Sequence, residues 1–253
     1  MKEPRKDAPQ TSVWNIVCVV AILICICIAL RLMTLSDGTT AAKMNLNYLF
    51  SHAKSGDLIV WSRTLPSYAL EIPLSCVTGS VWNHGAIVQR RVDDDDGAPY
   101  VIMMSSDSGE RSHIIRIPLA VFVETLTASD DGFRLAYSPL RSALTLEQEA
   151  IMSTVFCELH DDRAIRLHTP VGLFVAANGG HIYDPKKEAC SAYRRFACSE
   201  MVAYVLRRLG ILSTDLETSR ASIAYYPHHL AIEHIDIAAN SYDAAVEICM
   251  QDR

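Results

Sequence analysis

Two residues of this chain could together perform covalent chemistry, a histidine at position 84 and a cysteine at position 198. His84 opens the apolar run NHGAIV at residues 83–88, which is typical of a buried strand. Cys198 lies in FACSEMVAYVL at residues 196–206, whose apolar spacing predicts a helix that begins near the cysteine. A helix N terminus and a neighbouring imidazole can both convert a thiol into a reactive thiolate. The two residues are therefore a candidate nucleophile and base, provided that folding brings them together.

Each of these residues also has a simpler structural explanation. A cysteine beside an apolar helix commonly packs as a small hydrophobic residue, and a histidine before an apolar strand commonly belongs to the fold. Glu200 fits the first helical turn, where acidic side chains are stabilising. Asp57 follows a glycine and suits a tight turn.

The rest of the chain predicts strands first and helices afterwards. Apolar runs predict strands near residues 58–61, 84–91, 100–105, 113–117 and 133–137. Helices are predicted over residues 41–53, 145–159 and 199–209. Thr145 and Gln148 have the spacing of a capping box, and Gly210 supplies a helix stop. This order favours the α+β class.

Two polar clusters could suggest a metal, but neither has a metal-binding pattern. Four aspartates at residues 93–96 precede a glycine and predict a solvated hairpin turn, because they lack the spacing and distal glutamate of a calcium loop. His228, His229 and His234 are accompanied by no His-Glu-x-x-His or Cys-x-x-Cys pattern. We therefore expect no metal and no cofactor.

An almost unbroken apolar run covers residues 13–33 and is long enough to cross a bilayer as a helix. A cleaved signal peptide is the alternative, but its apolar region would be only about 7–15 residues long, before a small-residue cleavage site. We predict a polar tail (1–12), a single-pass membrane anchor (13–33), a linker with a short helix (34–54) and one domain (55–253). Basic residues before the run lean toward a cytoplasmic N terminus.

The cysteines and the net charge further limit the kinds of site and partner that this chain can have. Of the 8 cysteines, the five outside the apolar run fit neither a disulfide framework nor a zinc site. Whether Cys190 pairs with Cys198 stays open. The net charge of -6 and the lack of a basic stripe argue against nucleic acid as a partner.

Three motifs in order carry a family resemblance: Gly-Asp-Leu at residues 56–58, NHGAIV at 83–88 and FACSEMV at 196–202. Together they resemble the circularly permuted branch of the NlpC/P60 papain-like superfamily. That branch includes YiiX-like proteins, the lecithin–retinol acyltransferase group and a poxvirus papain-like protein, and its histidine precedes its cysteine. The resemblance spans about residues 55–209. It implies a permuted papain-like fold, with an antiparallel, barrel-like sheet packed on helices.

The resemblance also implies roles for individual residues. Cys198 would be the nucleophile and His84 the base. A third polar residue would orient the histidine from the following strand, where Met103 and Met104 stand in this chain. Asp107 is the residue we assign to this role, with Ser105 as an alternative; Glu110 is further away.

Two functions of different classes follow. The resemblance implies a membrane-anchored cysteine hydrolase of peptidase, amidase or acyltransferase type. It would attack an amide or ester bond, in a substrate that is lipid- or peptide-linked, through a thioester at Cys198. The alternative is a catalytically weak or inactive membrane-tethered binding or structural module, which would suit a viral protein. This chain has methionines where the resemblance implies a third polar residue, and this difference favours the second function.

Overall fold

A computed structural model describes residues 39–63, 80–82, 84–90, 97–106, 112–128, 132–162, 165–167, 194–196, 198–212 and 242–249. The predicted tail and anchor, residues 1–33, lie outside these ranges. So do residues 91–96, Asp107, Glu110, Cys190 and the histidines of residues 228–234. Within the described ranges, no helix has both the length and the apolar character that crossing a bilayer requires.

Nine strands and four helices follow one another in the described part of the chain. In order they are β1 (Thr39–Asn45), α1 (Leu46–His52), β2 (Leu58–Arg63), β3 (His84–Arg90), β4 (Pro99–Ser106), β5 (Ser112–Pro118), α2 (Leu119–Thr127), β6 (Phe133–Ser138), α3 (Leu146–Asp161), β7 (Ile165–Leu167), β8 (Arg194–Phe196), α4 (Cys198–Arg208) and β9 (Ala245–Cys249).

Seven of these strands form one mixed sheet, in the order β1-β9-β6-β2-β3-β4-β5. Neighbouring strands are antiparallel except for β1 and β9, which run parallel. The expectation of a wholly antiparallel sheet is therefore wrong at this pair, because the C-terminal strand inserts between β1 and β6. Strands β7 and β8 form a separate parallel pair. The α+β class is confirmed.

Helices cover both faces of the large sheet, and each face has its own buried cluster. On the α4 face, helices α3 and α4 pack on side chains such as Leu58, Ile87 and Ile102. On the α2 face, helices α1 and α2 pack on side chains such as Ala86 and Val88. Residues of β3 alternate between the two clusters, because successive side chains of a strand point to opposite faces. Each large aliphatic side chain buried this way contributes about 1.5–3 kcal/mol to folding.

The ends of α3 and α4 follow local sequence signals. Thr145 Oγ1 accepts a hydrogen bond from the Gln148 backbone N–H at 3.2 Å, and Gln148 Oε1 accepts one from the Thr145 N–H at 3.0 Å. This capping box satisfies two amides at the start of α3. Helix α4 ends before Gly210, whose φ of 71° is left-handed. Both helix predictions are confirmed to within a few residues.

The N-terminal part of the fold differs from its prediction. Thr39–Asn45 is a strand, so only Leu46–His52 of the helix expected over residues 41–53 is helical. Asn45 caps this short helix by accepting a hydrogen bond from the Tyr48 N–H at 2.8 Å. Pairing with the sequence-distant strand β9 overrides the local helical preference before Asn45. The sequence patterns predicted neither α2 nor β9.

Candidate functional site

Cys198 is the first residue of the 11-residue helix α4. Cys198 is half-buried and packs against the cluster on the α4 face. The five residues that follow it, Ser199 to Ala203, are all buried. Helix α4 itself packs on β3 and β4. The predicted position of the cysteine at a helix start is therefore confirmed.

His84 is the first residue of β3 and lies opposite Trp61 of β2 in the strand register. The imidazole stacks on the indole ring, with centroids 5.2 Å apart and planes inclined by 13°. Trp61 in turn meets Phe122 of α2 edge-on, at 5.0 Å between centroids. Trp61 and Phe122 both belong to the cluster on the α2 face. These contacts place the imidazole on the α2 face.

The structure does not bring the predicted nucleophile and base to the same face of the sheet. Along β3, Ile87 packs with α4, whereas Ala86 and Val88 pack on the α2 face. His84 is two residues before Ala86 in the strand and therefore points to the same face, in agreement with its stack on Trp61. The described contacts of the two residues thus belong to clusters on different faces of the sheet, and their catalytic pairing stays a prediction.

The surroundings of His84 keep its imidazole neutral. Burial, and next the positive charge of Arg63, lower the pKa of His84 from 6.5 to about 4. Arg63 is two residues after Trp61 on β2, so its side chain starts from the same face. Its guanidinium lies 5.8 Å from the centroid of the Phe133 ring. A positive charge on His84 is therefore disfavoured at neutral pH.

The predicted third residue, Asp107, lies outside the described residues. The two methionines at the expected place divide between the faces: Met104 is buried on the α4 face and Met103 packs on the α2 face. Met103 thus shares the face of His84 and offers it no hydrogen-bonding group. Ser105 lies in β4, directly after both methionines. The identity of an orienting residue stays a prediction.

Glu200 is buried in the first turn of α4, close to the thiol in sequence. Its charge attracts that of Arg207, two turns further along the same helix. Burial lowers the pKa of Arg207, and the attraction of Glu200 opposes this effect. Glu200 therefore takes part in an ionic interaction inside the protein, in addition to favouring the helix start.

The Gly-Asp turn is a buried structural junction. Asp57 is fully buried and accepts hydrogen bonds from the Lys54 N–H at 2.8 Å, the Leu140 N–H at 2.7 Å and the Tyr137 hydroxyl. Burial raises the pKa of Asp57, although these donors oppose the rise. Tyr242, next to β9, donates to the Gly56 carbonyl at 2.8 Å. The turn thus joins β2 to the chain segments after β6 and before β9.

Gly56 is required in this turn by its backbone conformation. Its φ is 90°, and a Cβ atom there would come within 2.8 Å of Leu140 Cδ2. A left-handed residue that touches a neighbour in this way favours glycine. The expectation that Asp57 serves turn geometry is consistent with these contacts.

No group of three or more histidine, cysteine, aspartate or glutamate side chains could hold a metal ion within the described ranges. The sequence patterns missed two features of the site, the stack of His84 on Trp61 and the bond between Tyr137 and Asp57. Both join residues that become neighbours only through strand pairing or turn packing. The apolar runs around Trp61 and Tyr137 were visible, but not their partners.

No protein-family model matches the chain, and no curated protein matches it. Among solved structures, the chain is similar to the metalloprotein YiiX from Escherichia coli O157:H7. The two share 13% sequence identity, with a TM-score of 0.39 over 78% of this chain and 97% of that chain. Membership of the permuted NlpC/P60 branch stays a prediction.

Proposed function

We propose that this chain is a membrane-tethered binding or structural module in which His84 does not act as the base of Cys198. The observation that carries the proposal is the position of the His84 ring on Trp61, on the α2 face. Cys198 packs on the other face, with the α4 cluster. A general base must come within hydrogen-bond reach of the proton it removes, about 2.6–3.2 Å between heavy atoms, or act through one water.

Rotation of the His84 side chain does not remove this separation. Side-chain rotamers move a ring above one face of a strand, whereas a change of face requires a shift of strand register by one residue. Such a shift in β3 would also move Ile87 out of the α4-face cluster and Ala86 and Val88 out of the other. The energy of burying these side chains therefore opposes it.

The charge state of His84 supports the same proposal. A base works best when its pKa is near the working pH. The lowered pKa of His84, about 4, leaves a weakly basic imidazole at neutral pH. It also leaves no imidazolium to stabilise a thiolate.

Membrane tethering rests on residues 13–33 alone. The described domain starts at Thr39, so it would follow the anchor after a short connection. A domain held in this way acts by contact with partners at the membrane surface. The absence of a basic stripe disfavours nucleic acid among these partners.

A cysteine hydrolase is the second candidate, and one observation favours it. Cys198 is a half-buried residue at a helix start, where backbone amides and the helix dipole favour a thiolate. A hydrolase would attack an amide or ester carbonyl and form a thioester at Cys198, which water would then cleave. A hydrolase that uses His84 as its base would need the imidazole to leave Trp61 and approach the thiol.

The two candidates differ in how Cys198 responds to loss of His84. The experiment measures alkylation of Cys198 by iodoacetamide against pH in the full chain, with a mass-spectrometric readout that separates the cysteines. His84→Ala is compared with His52→Ala, which removes an exposed histidine of α1. For a binding module, we expect the same titration in all three proteins, at or moderately below the free-thiol pKa of about 8.5.

A different result would overturn the proposal. If Cys198 reacts well below its ordinary pKa and loses this reactivity in His84→Ala but not in His52→Ala, His84 activates the thiol. The hydrolase would then be the better candidate. A low pKa that is unchanged by His84→Ala comes from the helix start and leaves the proposal standing.

A further inference from the structure

A second group of side chains lies on the α4 face of the large sheet, near the strand β5 at its edge. Arg116 of β5 extends between two aromatic rings. Its guanidinium carbon lies 4.9 Å from the ring centroid of Tyr100 on β4 and 5.3 Å from that of Phe156 on α3. Cation–π contacts of this kind hold a guanidinium plane in a defined place.

The buried side-chain amide of Gln89 also contacts the Arg116 guanidinium. Gln89 is 1% exposed, and its Oε1 accepts a hydrogen bond from Arg116 Nη1 at 3.3 Å. Gln89 Nε2 donates to Ser153 Oγ of α3 at 3.0 Å, which fixes the orientation of the amide. Arg116 is therefore positioned by neighbours from two strands and a helix before any ligand arrives.

The charge of Arg116 has no acidic partner in the part of the chain that the structure describes. Among these residues, the buried nitrogen that lacks a hydrogen bond is Arg207 Nε. The remaining N–H groups of Arg116, which have no partner either, are therefore in contact with solvent. A guanidinium often pairs with a carboxylate or a phosphate through two parallel hydrogen bonds. This one presents an oriented, unmatched fork of donors.

His160 of α3 is a second side chain that contacts Phe156. The His160 ring stacks on Phe156 with centroids 5.3 Å apart, and its Nδ1 donates to the Ile114 carbonyl at 2.8 Å. This bond leaves Nε2 directed away from the strand. Arg116 and His160 thus both contact the same aromatic ring, each at 5.3 Å from its centroid.

We propose that Arg116, Phe156 and His160 form a binding site for a phosphate group, carried by a small molecule or by a lipid headgroup. A guanidinium offers parallel donors that match two oxygens of one phosphate. Because His160 Nδ1 donates to the Ile114 carbonyl, Nε2 of the neutral ring can accept a hydrogen bond from a P–OH group. The aromatic rings supply apolar contact for the group that carries the phosphate. The proposal uses neither Cys198 nor His84.

The test is a titration of the full chain with inorganic phosphate at constant ionic strength, followed by NMR at the side-chain NH₂ group of Gln89, which contacts Arg116 and is present in every variant. We expect saturable shifts with a Kd on the order of millimolar, the strength of a single small-anion site. Arg116→Gln should abolish saturation. Arg116→Lys keeps the charge and much of the aliphatic stem, so a loss of packing alone would not explain its effect on binding. It should weaken binding by about tenfold or more, because an ammonium lacks the planar fork.

The matched control is Arg141→Gln, which removes an exposed arginine paired with Asp243. Its phosphate titration should equal that of the unchanged protein. A shift that does not saturate, or that is the same in Arg116→Lys, would overturn the proposal as a general salt effect. A parallel titration with dihexanoyl phosphatidate separates the two sources. Tighter binding than inorganic phosphate indicates a lipid headgroup, and equal binding indicates a free phosphate group.

Discussion

His84 shows how its immediate contacts determine the chemistry that a residue can perform. As a sequence position it is a candidate base. In the fold its ring stacks on Trp61. Its burial and the positive charge of Arg63 both favour the neutral ring. The pair with Cys198 therefore depends on which face of β3 carries the imidazole, and not on the residue types alone.

The lowered pKa of His84 predicts acid sensitivity. The unfolded imidazole titrates near 6.5 and the folded one at about 4, so the unfolded chain binds the extra proton first as the pH falls. The contribution of His84 to the free energy of unfolding is complete above pH 6.5. It is lost as the pH decreases from 6.5 to 4, and is constant below that range.

The measurement compares unfolding by denaturant across this range in the unchanged protein and in His84→Phe. Phenylalanine keeps an aromatic ring on Trp61 but does not titrate. We expect the unchanged protein to lose stability relative to the variant between pH 6.5 and 4. A constant difference over the whole range would show that His84 titrates alike in the folded and unfolded chains.

At the scale of elements, the turn around Asp57 connects parts of the chain that are far apart in sequence. Asp57 receives donors from the end of α1, from β6 and from the segment after β6. Ser55 adds hydrogen bonds with the Arg90 backbone at the end of β3, at 2.9 and 3.0 Å. The Gly-Asp turn, which is one of the three motifs of the family resemblance, thus serves to join strands.

Asp57→Asn should destabilise this junction strongly. An amide has one accepting oxygen where the carboxylate has two, so its NH₂ group would face a donor in a fully buried place. We expect a loss of about 1–3 kcal/mol in the free energy of unfolding, the usual cost of an unsatisfied buried polar group. Thermal or denaturant unfolding would measure it.

Asp243→Asn is the control for this substitution, because Asp243 forms an exposed ion pair with Arg141 at 2.8 Å. Exposed pairs contribute about 0–1 kcal/mol. Equal effects of the two substitutions would mean that the Asp57 hydrogen bonds contribute no more than a surface contact.

For the whole molecule, the C-terminal strand is an internal part of the sheet. Strand β9 lies between β1 and β6, and among the described strands β1 pairs with no other. Ile248 of β9 is buried in the α2-face cluster, and Tyr242 before it is buried in the α4-face cluster. Glu247 pairs with Arg134 of β6 at 2.9 Å. The C-terminal segment therefore attaches the first strand to the rest of the domain.

Removal of residues 242–253 should accordingly destabilise the domain by at least about 3 kcal/mol, because the burial of Tyr242 and Ile248 is lost at about 1.5–3 kcal/mol each. Removal of residues 250–253 alone, which follow β9, is the matched control and should have little effect. Urea unfolding of the two truncated chains measures the difference. Equal midpoints would contradict an internal role for β9.

Several features of the molecule could be predicted from the sequence because their signals are local. The capping box at Thr145, the glycine stop at Gly210 and the apolar runs of β2 to β6 depend on neighbouring residues. They were sufficient for the α+β class, for most element positions and for Cys198 at a helix start. The apolar run at residues 13–33 is equally local, and its role as an anchor stays a prediction.

Only the tertiary structure decided which of these elements meet. Strand β1 replaced part of a predicted helix because β9 pairs with it, and the two are separated by most of the chain. The face of the sheet that receives α4 depends on how helices pack, whereas the face of His84 depends on the register of β3 against β2. Residue type and spacing do not determine register or packing side. For this physical reason the sequence by itself could nominate Cys198 and His84, but could not determine that they lie on opposite faces.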